Sequence, residues 1–392
     1  MSKLGLVLSG GGARGAYQAG ALTAIAEISR ELGIENPFQI YSGISSGAIN
    51  ISFLAAHPEG FIPGCQHITE RWSNITSPEV FVSDFLSLSR IGLNWMSELS
   101  LGGMKPHTPG LSLLNTAPLR AYLQKHCNFD QIQKNIDAQL FEAVAVSAMG
   151  YEHTNTVTFI QSSNNVKPWS RARRRSENTL IKVDHVLASS SLPLLFPPVK
   201  IDDSYFGDGC IRNQAPCGPA IYMGADRLIA IGVRKRQDTC YSPLLPKKKI
   251  EAPSVARMAN VLLHAVMMDG MELDIERIER INMGIQKISA TEVKNLGVRH
   301  IDCLWISPSS EMSEMALKKA DQLPRMIRYL IRGLGNMDEA AELISFLLFD
   351  PSYCQQLIEM GFRDGMMERE KIIRLLDPER TPKNAPSIEK HL

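Results

Sequence analysis

Residues 6–20 read LVLSGGGARGAYQAG, and this stretch decides how the rest of the chain is interpreted. The apolar run Leu4–Leu8 predicts a short buried strand, and Ala16–Leu32 predicts a helix. Three glycines between them have the spacing G-x-G-x-x-G: Gly10, Gly12 and Gly15. A glycine loop between a strand and a helix presents backbone N–H groups near the positive helix end. Such a loop holds either a phosphate or a transient oxyanion.

Neither nucleotide motif is complete in this stretch. A dinucleotide fold needs an acidic residue at the end of the second strand, and the predicted strand Phe38–Tyr41 has none. A P-loop needs Lys followed by Ser or Thr after its last glycine, where this chain has Ala16 and Tyr17. The loop is therefore better explained as a nest for another negative charge, to which Arg14 adds a fixed positive charge.

A second glycine turn follows the second predicted strand and opens a helix. It reads Gly43-Ile44-Ser45-Ser46-Gly47, which is G-x-S-x-G. In that context the motif predicts a sharp turn that lifts the central serine above the sheet as a nucleophile. The alternative is a serine N-cap in a glycine-rich turn. The first glycine loop favours the nucleophile, because acyl transfer needs both a nucleophile and an oxyanion hole.

The general base is less obvious from sequence. None of the nine histidines lies in a loop that is clearly marked as the end of a strand. A catalytic triad with a histidine distant in sequence stays open as an alternative. Asp208 in YFGDGCIRNQAP lies between two glycines, which allow its carboxylate to approach another loop closely. A carboxylate with a pKa of about 3.9 is a weak base, and partial burial raises that pKa. The alternative is an ordinary Asp-Gly turn.

Four blocks, taken together and in order, resemble the landmark motifs of patatin-like phospholipases: SGGGARGAYQAG, GISSGAIN, ASSSLPLLFPPV and DGCIRNQAP. The resemblance covers roughly residues 4–235. It implies a serine acyl hydrolase with a Ser–Asp dyad and no histidine, in an α/β fold related to cytosolic phospholipase A2. By resemblance, Ser45 is the nucleophile and Asp208 is the proton acceptor.

The resemblance also assigns the residues around this dyad. The oxyanion block is Gly10, Gly11, Gly12 and Arg14, the motif flanks are Gly43, Gly47 and Gly209, and the pocket wall includes Ser190 and Pro193. Two positions depart from the family pattern: Cys210 stands where glycine or alanine is usual, and Ser46 stands where alanine is common. A thiol beside the base predicts sensitivity to alkylation. The family chemistry needs no cofactor and no metal, and the chain has no calcium loop of EF-hand spacing.

Two strand–turn–helix units near the start predict a mostly parallel sheet with helices on both faces. With the resemblance, we expect a three-layer α/β core, a patatin-like catalytic domain, over residues 1–250. Residues 251–376 have helical periodicity and predict a helical C-terminal region, whose helices suit homo-oligomerisation. Residues 377–392 are polar and proline-containing, and we expect them to be disordered.

The remaining expectations concern partners and location. A net charge of +1 and the lack of a basic helix argue against nucleic acid, so acyl lipids and a transient membrane surface are the expected partners. Scattered cysteines and a short apolar run before the glycines predict a reduced, cytoplasmic protein without a signal peptide. Peripheral contact with the inner membrane surface would use an amphipathic stretch within residues 78–113 and two basic clusters. The clusters are Arg171 with Arg173, Arg174 and Arg175, in the stretch KPWSRARRRSENT that is predicted to be a loop, and Lys247–Lys249.

Two other functions stay open at this stage. One is a serine esterase for neutral or soluble esters, which would use the same chemistry on a different substrate. The other is a non-catalytic module that binds lipid or nucleotide.

Overall fold

The computed structural model describes residues 2–82, 112–163, 166–236 and 269–380, together with 254, 257, 258 and 260–262. Three sequence predictions fall outside these residues. They concern most of the amphipathic stretch within 78–113, the lysines at 247–249 and the tail beyond residue 380.

Ten strands form one sheet. They are β1 (Lys3–Leu8), β2 (Ile40–Ile44), β3 (Ala143–Gly150), β4 (Asn155–Ser162), β5 (Ser170–Arg171), β6 (Arg174–Asn178), β7 (Val199–Ile201), β8 (Ser204–Asp208), β9 (Ala225–Ile231) and β10 (Asp302–Ile306). The order is β10-β9-β1-β2-β3-β4-β6-β5, and β8 pairs with β3 and β7. The five strands from β10 to β3 are parallel, so their carboxyl ends meet at one edge. Strands β4 and β8 run antiparallel to β3.

Fifteen α-helices are described. They are α1 (Gly15–Glu31), α2 (Ser46–Ala55), α3 (Phe61–Asn74), α4 (Ser77–Val80), α5 (Ala117–His126), α6 (Asp130–Asp137), α7 (Val183–Ser189), α8 (Gly218–Tyr222), α9 (Asp269–Ile285), α10 (Ala290–Leu296), α11 (Met312–Leu317), α12 (Arg325–Leu334), α13 (Ala341–Leu347), α14 (Pro351–Met367) and α15 (Arg369–Leu376).

Helices cover both faces of the sheet, as the side chains of β1 show. Leu4, Leu6 and Leu8 belong to the larger apolar cluster, which includes residues of α1, α2, α3 and the helices near the C-terminus. Val7 points the other way, into a second cluster with residues of α8 and α9. This alternation is expected of a strand buried on both sides. The expected α/β fold, with a mostly parallel central sheet between helical layers, is confirmed.

The C-terminal region is tightly joined to this core. Strand β10 pairs with β9 at the end of the sheet, so the region expected to be helical also contributes a strand. Helix α14 packs closely on α1 because glycines lie at the crossing. A Cβ atom at Gly20 would lie 1.9 Å from the Ile358 carbonyl oxygen, and one at Gly361 would lie 2.0 Å from that of Tyr17. Any larger residue would separate the two helices.

The second difference from expectation concerns the basic stretch KPWSRARRRSENT, which was predicted to be a loop. Residues of this stretch form β5 and β6, a hairpin at the far end of the sheet. Strand β6 pairs with β4 and thereby extends the sheet. The alternating pattern of a strand is hidden here because charged residues occupy both faces of an exposed end strand.

Candidate active site

The G-x-S-x-G turn places Ser45 between the end of β2 and the start of α2. Ser45 has φ 55° and ψ −125°, a backbone conformation that few non-glycine residues adopt. Its two flanking glycines are required by space: a Cβ atom at Gly47 would lie 2.3 Å from the Leu8 carbonyl oxygen, and one at Gly43 would lie 2.5 Å from that of Gly47. The turn is therefore the strained strand-to-helix elbow that the sequence predicted.

A serine of the third block supports this elbow. The Ser45 backbone N–H donates to Ser189 Oγ at 2.9 Å, and the Ser189 hydroxyl donates to the Ser147 carbonyl oxygen at 2.7 Å. Ser189 thus joins the elbow to strand β3. The next two serines have different roles: Ser190 lines the pocket, and the Ser191 carbonyl accepts the Asp208 backbone N–H at 2.8 Å.

Asp208 ends β8, and its backbone is held beside β3 by the Ala148 pairing. The side chain is 1% exposed. One carboxylate oxygen accepts the Cys210 backbone N–H at 2.8 Å. A Cβ atom at Gly209 would lie 2.3 Å from the Ser147 carbonyl oxygen, so the residue after the aspartate must be glycine for the turn to reach the strand. The structure thereby brings Asp208 to the same edge of the sheet as Ser45.

The environment of Asp208 changes its acidity. Burial raises the pKa of this carboxyl to about 6, while hydrogen bonds from the Ser45 hydroxyl and from the Cys210 backbone and thiol act in the opposite direction. The Ser45 hydroxyl is therefore within hydrogen-bond reach of a carboxylate that is more basic than an exposed aspartate. This is the relation between nucleophile and base that covalent catalysis requires.

The glycine loop lies against this pair. A Cβ atom at Gly10 would lie 2.6 Å from Ser45 Cβ and 2.4 Å from Cys210 Sγ. Gly12 lines the same pocket as Ser45 and has φ 57°, which favours glycine. Among the described residues, no hydrogen-bond acceptor faces the backbone N–H groups of Gly11 and Gly12. The loop that lies against Ser45 therefore has two backbone donors for which the described residues supply no acceptor.

Cys210 is half-buried beside the base. Burial and the Asp208 carboxylate hold the pKa of its thiol well above the usual value, and the Gly10 backbone opposes this only in part. A thiol in this environment stays protonated and reacts poorly with alkylating reagents. The structure therefore gives no support to the predicted sensitivity of Cys210.

Arg14 has a different position from the glycines of its block. Its guanidinium is 2% exposed, forms an ion pair with Glu342 and donates to Ser345 Oγ at 2.8 Å. It also lies over the Phe346 ring at 4.9 Å. These contacts turn the side chain toward α13, and Arg14 is not among the described residues that line the pocket. Arg14 therefore attaches the glycine loop to the C-terminal region, and its charge is not directed at the oxyanion position.

An apolar pocket opens above Ser45 and Asp208, with an empty volume of about 720 Å³ measured out to solvent. Six large apolar residues on its wall come from α2, α3 and the α13 region: Ile49, Phe53, Trp72, Phe346, Leu347 and Phe349. A long acyl chain fits this lining, whereas a sugar or nucleotide would leave its polar groups unpaired.

A family model described as patatin-like phospholipase matches residues 6–221, which is more than half of the chain. The chain belongs to the patatin-like phospholipase family. Members of this family are lipid acyl hydrolases, so an acyl lipid is the substrate class at family level. The resemblance noted from the four sequence blocks is thereby confirmed. Among curated proteins, no sequence matches significantly.

Two solved structures give a comparison at the level of the fold. VipD from Legionella pneumophila is 13% identical with a TM-score of 0.33, and the match covers 95% of this chain and 67% of VipD. Human GIVD cytosolic phospholipase A2, in complex with methyl gamma-linolenyl fluorophosphonate, is 12% identical with a TM-score of 0.41, and the match covers 96% of this chain. The chain spans 58% of that phospholipase. Overall similarity is low, so family membership rests on the sequence match.

No histidine lines the described part of the patatin-like pocket. His185 is a buried residue of α7, whose Nδ1 accepts the Lys182 backbone N–H at 2.9 Å and whose ring centroid lies 4.5 Å from that of Phe159. Burial lowers the pKa of His185 to about 4. Its role is therefore structural.

Several functional residues of this patatin-like site were not predicted. Ser189 was one of three consecutive serines, and nothing in the sequence distinguishes the one that supports the elbow. Glu342 and Phe346 lie more than 300 residues from the loop they contact, so no local pattern connects them. Pro193 is not among the described lining residues, whereas Ser190 is.

Among the described residues, no cluster of His, Cys, Asp or Glu side chains has the arrangement of a metal site. None of the described helices is long and apolar enough to cross a membrane.

Proposed function

We propose that this patatin-like protein cleaves fatty-acyl ester bonds of phospholipids or lysophospholipids, with Ser45 as nucleophile and Asp208 as proton acceptor. The observation that carries the proposal is the Ser45 hydroxyl held against a buried carboxylate on the wall of an apolar pocket. The pocket suits an acyl chain, and the strained elbow suits a nucleophile.

The proposed cycle has two halves. Asp208 accepts the Ser45 proton as Oγ attacks the ester carbonyl carbon, and the Gly11 and Gly12 amides receive the oxyanion. The ester C–O bond then breaks, and Asp208 returns the proton to the departing lysolipid alcohol. Water attacks the acyl-serine, Asp208 accepts its proton and passes it to Ser45 Oγ, and the fatty acid leaves. One oxyanion donor in such a site lowers the barrier by about 3–4 kcal/mol.

The chain's own groups supply every step of this cycle, so we propose no cofactor. A base with a pKa of about 6 is ionised at neutral pH and still accepts a proton in the transition state. Because phospholipids reside in bilayers, the proposal includes transient contact with a membrane surface. A cytoplasmic location and homo-oligomerisation through the C-terminal helices stay predictions.

The test is covalent labelling with a fluorophosphonate probe, with the adduct located by mass spectrometry in the presence of phospholipid vesicles. We expect an adduct on Ser45 that is lost in Ser45→Ala and weakened in Asp208→Asn. Ser46→Ala is the matched control, because Ser46 is also buried and lines the same pocket. Labelling that survives Ser45→Ala, or no labelling of folded protein, would contradict the dyad.

Two further measurements separate the alternatives. A strong preference for dispersed short-chain esters over vesicles would favour an esterase for soluble or neutral esters. A nucleotide that remains bound through purification, without turnover of any ester, would favour a binding module.

A further inference from the structure

A second cleft, separate from the acyl pocket, is lined by arginines. Its wall consists of Arg173, Arg174, Arg212 and Arg277 with Ala172, Gln214 and Ala215, and its empty volume is about 590 Å³ measured out to solvent. The four arginines come from three separate parts of the chain: the β5–β6 hairpin, the loop after the catalytic aspartate, and α9. The fold therefore brings together side chains that the sequence did not connect.

Contacts with backbone carbonyls hold two of these arginines over the cleft. Arg212 Nε donates to the Thr154 carbonyl oxygen at 3.0 Å, and an Arg277 terminal nitrogen donates to that of Gln214 at 3.1 Å. A guanidinium has five N–H donors, so each side chain keeps several for a ligand. The backbone contacts fix the direction of these donors.

Among the described residues, none of the four arginines forms a salt bridge. Neighbouring arginines outside the cleft do: Arg175 pairs with Glu177, and Arg280 pairs with Glu276. Asp274 is buried, accepts the Cys217 backbone N–H at 2.9 Å and interacts electrostatically with Arg174 and Arg277. Because no acidic residue is among the described residues that line the cleft, its four guanidinium groups give its wall an excess of positive charge.

The hairpin itself is held in an unfavourable conformation at the cleft. Arg173 has φ 61°, where a hairpin turn usually has glycine or asparagine. The base of the hairpin is fixed by Trp169, whose ring stacks on Tyr222 at 4.7 Å, and by Arg171 over the same Tyr222 ring at 5.5 Å. A rigid hairpin therefore presents an arginine at a position where backbone preference alone would select glycine.

We propose that this cleft binds a multiply charged phosphate group, such as a phosphomonoester or a pyrophosphate. Guanidinium groups match phosphate oxygens in bidentate geometry, and several of them together favour more than one negative charge. Two sources share this chemistry: the headgroup of an anionic lipid and a free phosphate compound.

The cleft opens at the same sheet edge as the active site. Asp208 pairs with Ala148 on β3, the neighbouring Met149 pairs with Thr156 on β4, and Thr156 pairs with Arg174 on β6. Three strand spacings, about 14 Å, separate the backbone of Asp208 from that of Arg174 in the cleft wall. A phosphate bound there belongs to a second molecule and not to the ester being cleaved. A lipid headgroup in this position would hold the mouth of the acyl pocket against the bilayer.

The first experiment measures binding and not turnover, with the Ser45→Ala protein, so that a failed dyad proposal does not affect its outcome. One arm uses flotation with vesicles of phosphatidylcholine alone or with added phosphatidic acid. The other arm uses calorimetry with inorganic phosphate and pyrophosphate. Binding to phosphatidic acid vesicles without affinity for soluble phosphates identifies a headgroup, and affinity for pyrophosphate identifies a free ligand. Both results support the cleft only if the variants below weaken them.

Three variants decide whether the cleft is responsible. Arg212→Gln with Arg277→Gln removes two charges from the cleft, and we expect affinity to fall about tenfold for each lost charge-assisted contact. Arg175→Gln with Arg280→Gln removes the same charge from nearby surface, and we expect less than about a threefold change. Arg173→Gly relieves the positive φ, so we expect a stable fold together with weaker binding.

The proposal is overturned if the protein binds none of these probes, if the cleft pair binds as tightly as the parent, or if the surface pair loses as much affinity. Arg173→Gly keeps the test decisive should the cleft pair fold poorly. Unchanged binding in a folded Arg173→Gly protein would also overturn the assignment.

Discussion

Asp208 is a charged group placed where water does not reach it, and three hydrogen-bond donors offset only part of that loss. In the proposed dyad its pKa of about 6 sets the acid limit of catalysis, because only the ionised carboxylate accepts the Ser45 proton. We therefore expect kcat/KM to fall as the pH drops through about 6, and not near 4. The measurement is a pH profile with a soluble ester, which avoids changes in vesicle charge. A rate that stays constant down to pH 4.5 would show that Asp208 is not the base.

The same pKa predicts that the proposed base reduces stability at neutral pH. Asp208 binds its proton more tightly in the folded than in the unfolded chain, so the stability that this group contributes is full below about pH 4 and is lost as the pH rises through about 6. A rise in the pKa of this carboxyl from 3.8 to about 6 corresponds to roughly 3 kcal/mol in the free energy of unfolding. We expect Asp208→Asn to raise the free energy of unfolding at pH 8 by up to about that amount while activity is lost.

Denaturant titrations at pH 8 and pH 4.5 test this expectation. The increase in the free energy of unfolding caused by Asp208→Asn should be largest at pH 8 and should shrink toward pH 4.5. An Asp208→Asn protein that is less stable than the parent at pH 8 would mean that the carboxylate is held by interactions stronger than its burial cost.

Individual site residues could be predicted from the sequence where the proposed chemistry requires one particular residue type. Ser45 and Asp208 were predicted because each has glycines on both sides, which permit a tight turn and a close approach, and the structure places the two within reach. Arg14 was predicted to face the oxyanion from its position in the motif alone. The direction of the Arg14 side chain depends on its ion pair with Glu342, a residue that comes close to Arg14 only in the folded chain.

Among the elements, the glycine loop depends most on a distant partner. Helix α13 supplies Glu342 and Ser345 to Arg14, and the Phe346 carbonyl oxygen would lie 2.3 Å from a Cβ atom at Gly12. The loop is thus held between the sheet and a helix that follows more than 300 residues later. Residues that fix its position also fix the two amides proposed to bind the oxyanion.

This arrangement predicts the effect of Glu342→Gln. Removing the carboxylate leaves a buried guanidinium without its partner charge, which typically costs about 3–5 kcal/mol of stability. If the pair also positions the loop, kcat falls between about tenfold and a hundredfold with little change in KM, because misplaced donors act mainly in the transition state. Steady-state kinetics on a soluble ester, beside a denaturant titration, measure both effects.

Glu359→Gln is the matched control, because Glu359 lies exposed on α14 and the chemical change is identical. We expect it to alter neither property. A Glu342→Gln protein with lower stability and full kcat would show that the ion pair holds the helix and has no influence on the amides.

The elements that periodicity predicted well are those buried on both sides. Strand β1 and helix α1 were expected within one residue of their observed limits, because apolar runs and glycines mark them clearly. The β5–β6 hairpin and β10 were missed. The hairpin is exposed and charged, and the five residues of β10 alternate in burial inside a segment dominated by helices. Pairing with a distant strand decides such short elements, and one sequence does not show it.

For the whole molecule, the sequence indicated a boundary near residue 250 where composition changes, and the described contacts run across it. Strand β10 completes the sheet, α14 packs on α1, and Tyr17 donates to the Asp364 carboxylate at 3.1 Å. Phe346, Leu347 and Phe349 form part of the acyl pocket. Composition records solvent exposure and helix content, and it contains no information on which helix face meets which strand.

Two truncations distinguish an integral C-terminal region from a separable one. A chain ending at Ala340 loses α13, α14 and part of the pocket wall, and exposes the apolar surface of α1 that α14 covers. Because deletion of even one buried large side chain costs about 2–5 kcal/mol, this chain should not fold cooperatively or label at Ser45. A chain ending at Arg380 loses only the polar segment predicted to be disordered. Its unfolding free energy should stay within about 0.5 kcal/mol of the parent, with full labelling. A folded, fully labelled chain ending at Ala340 would instead show that the residues after Ala340 are not needed for folding or labelling, and the contacts from α13 to the glycine loop would then be dispensable for the chemistry.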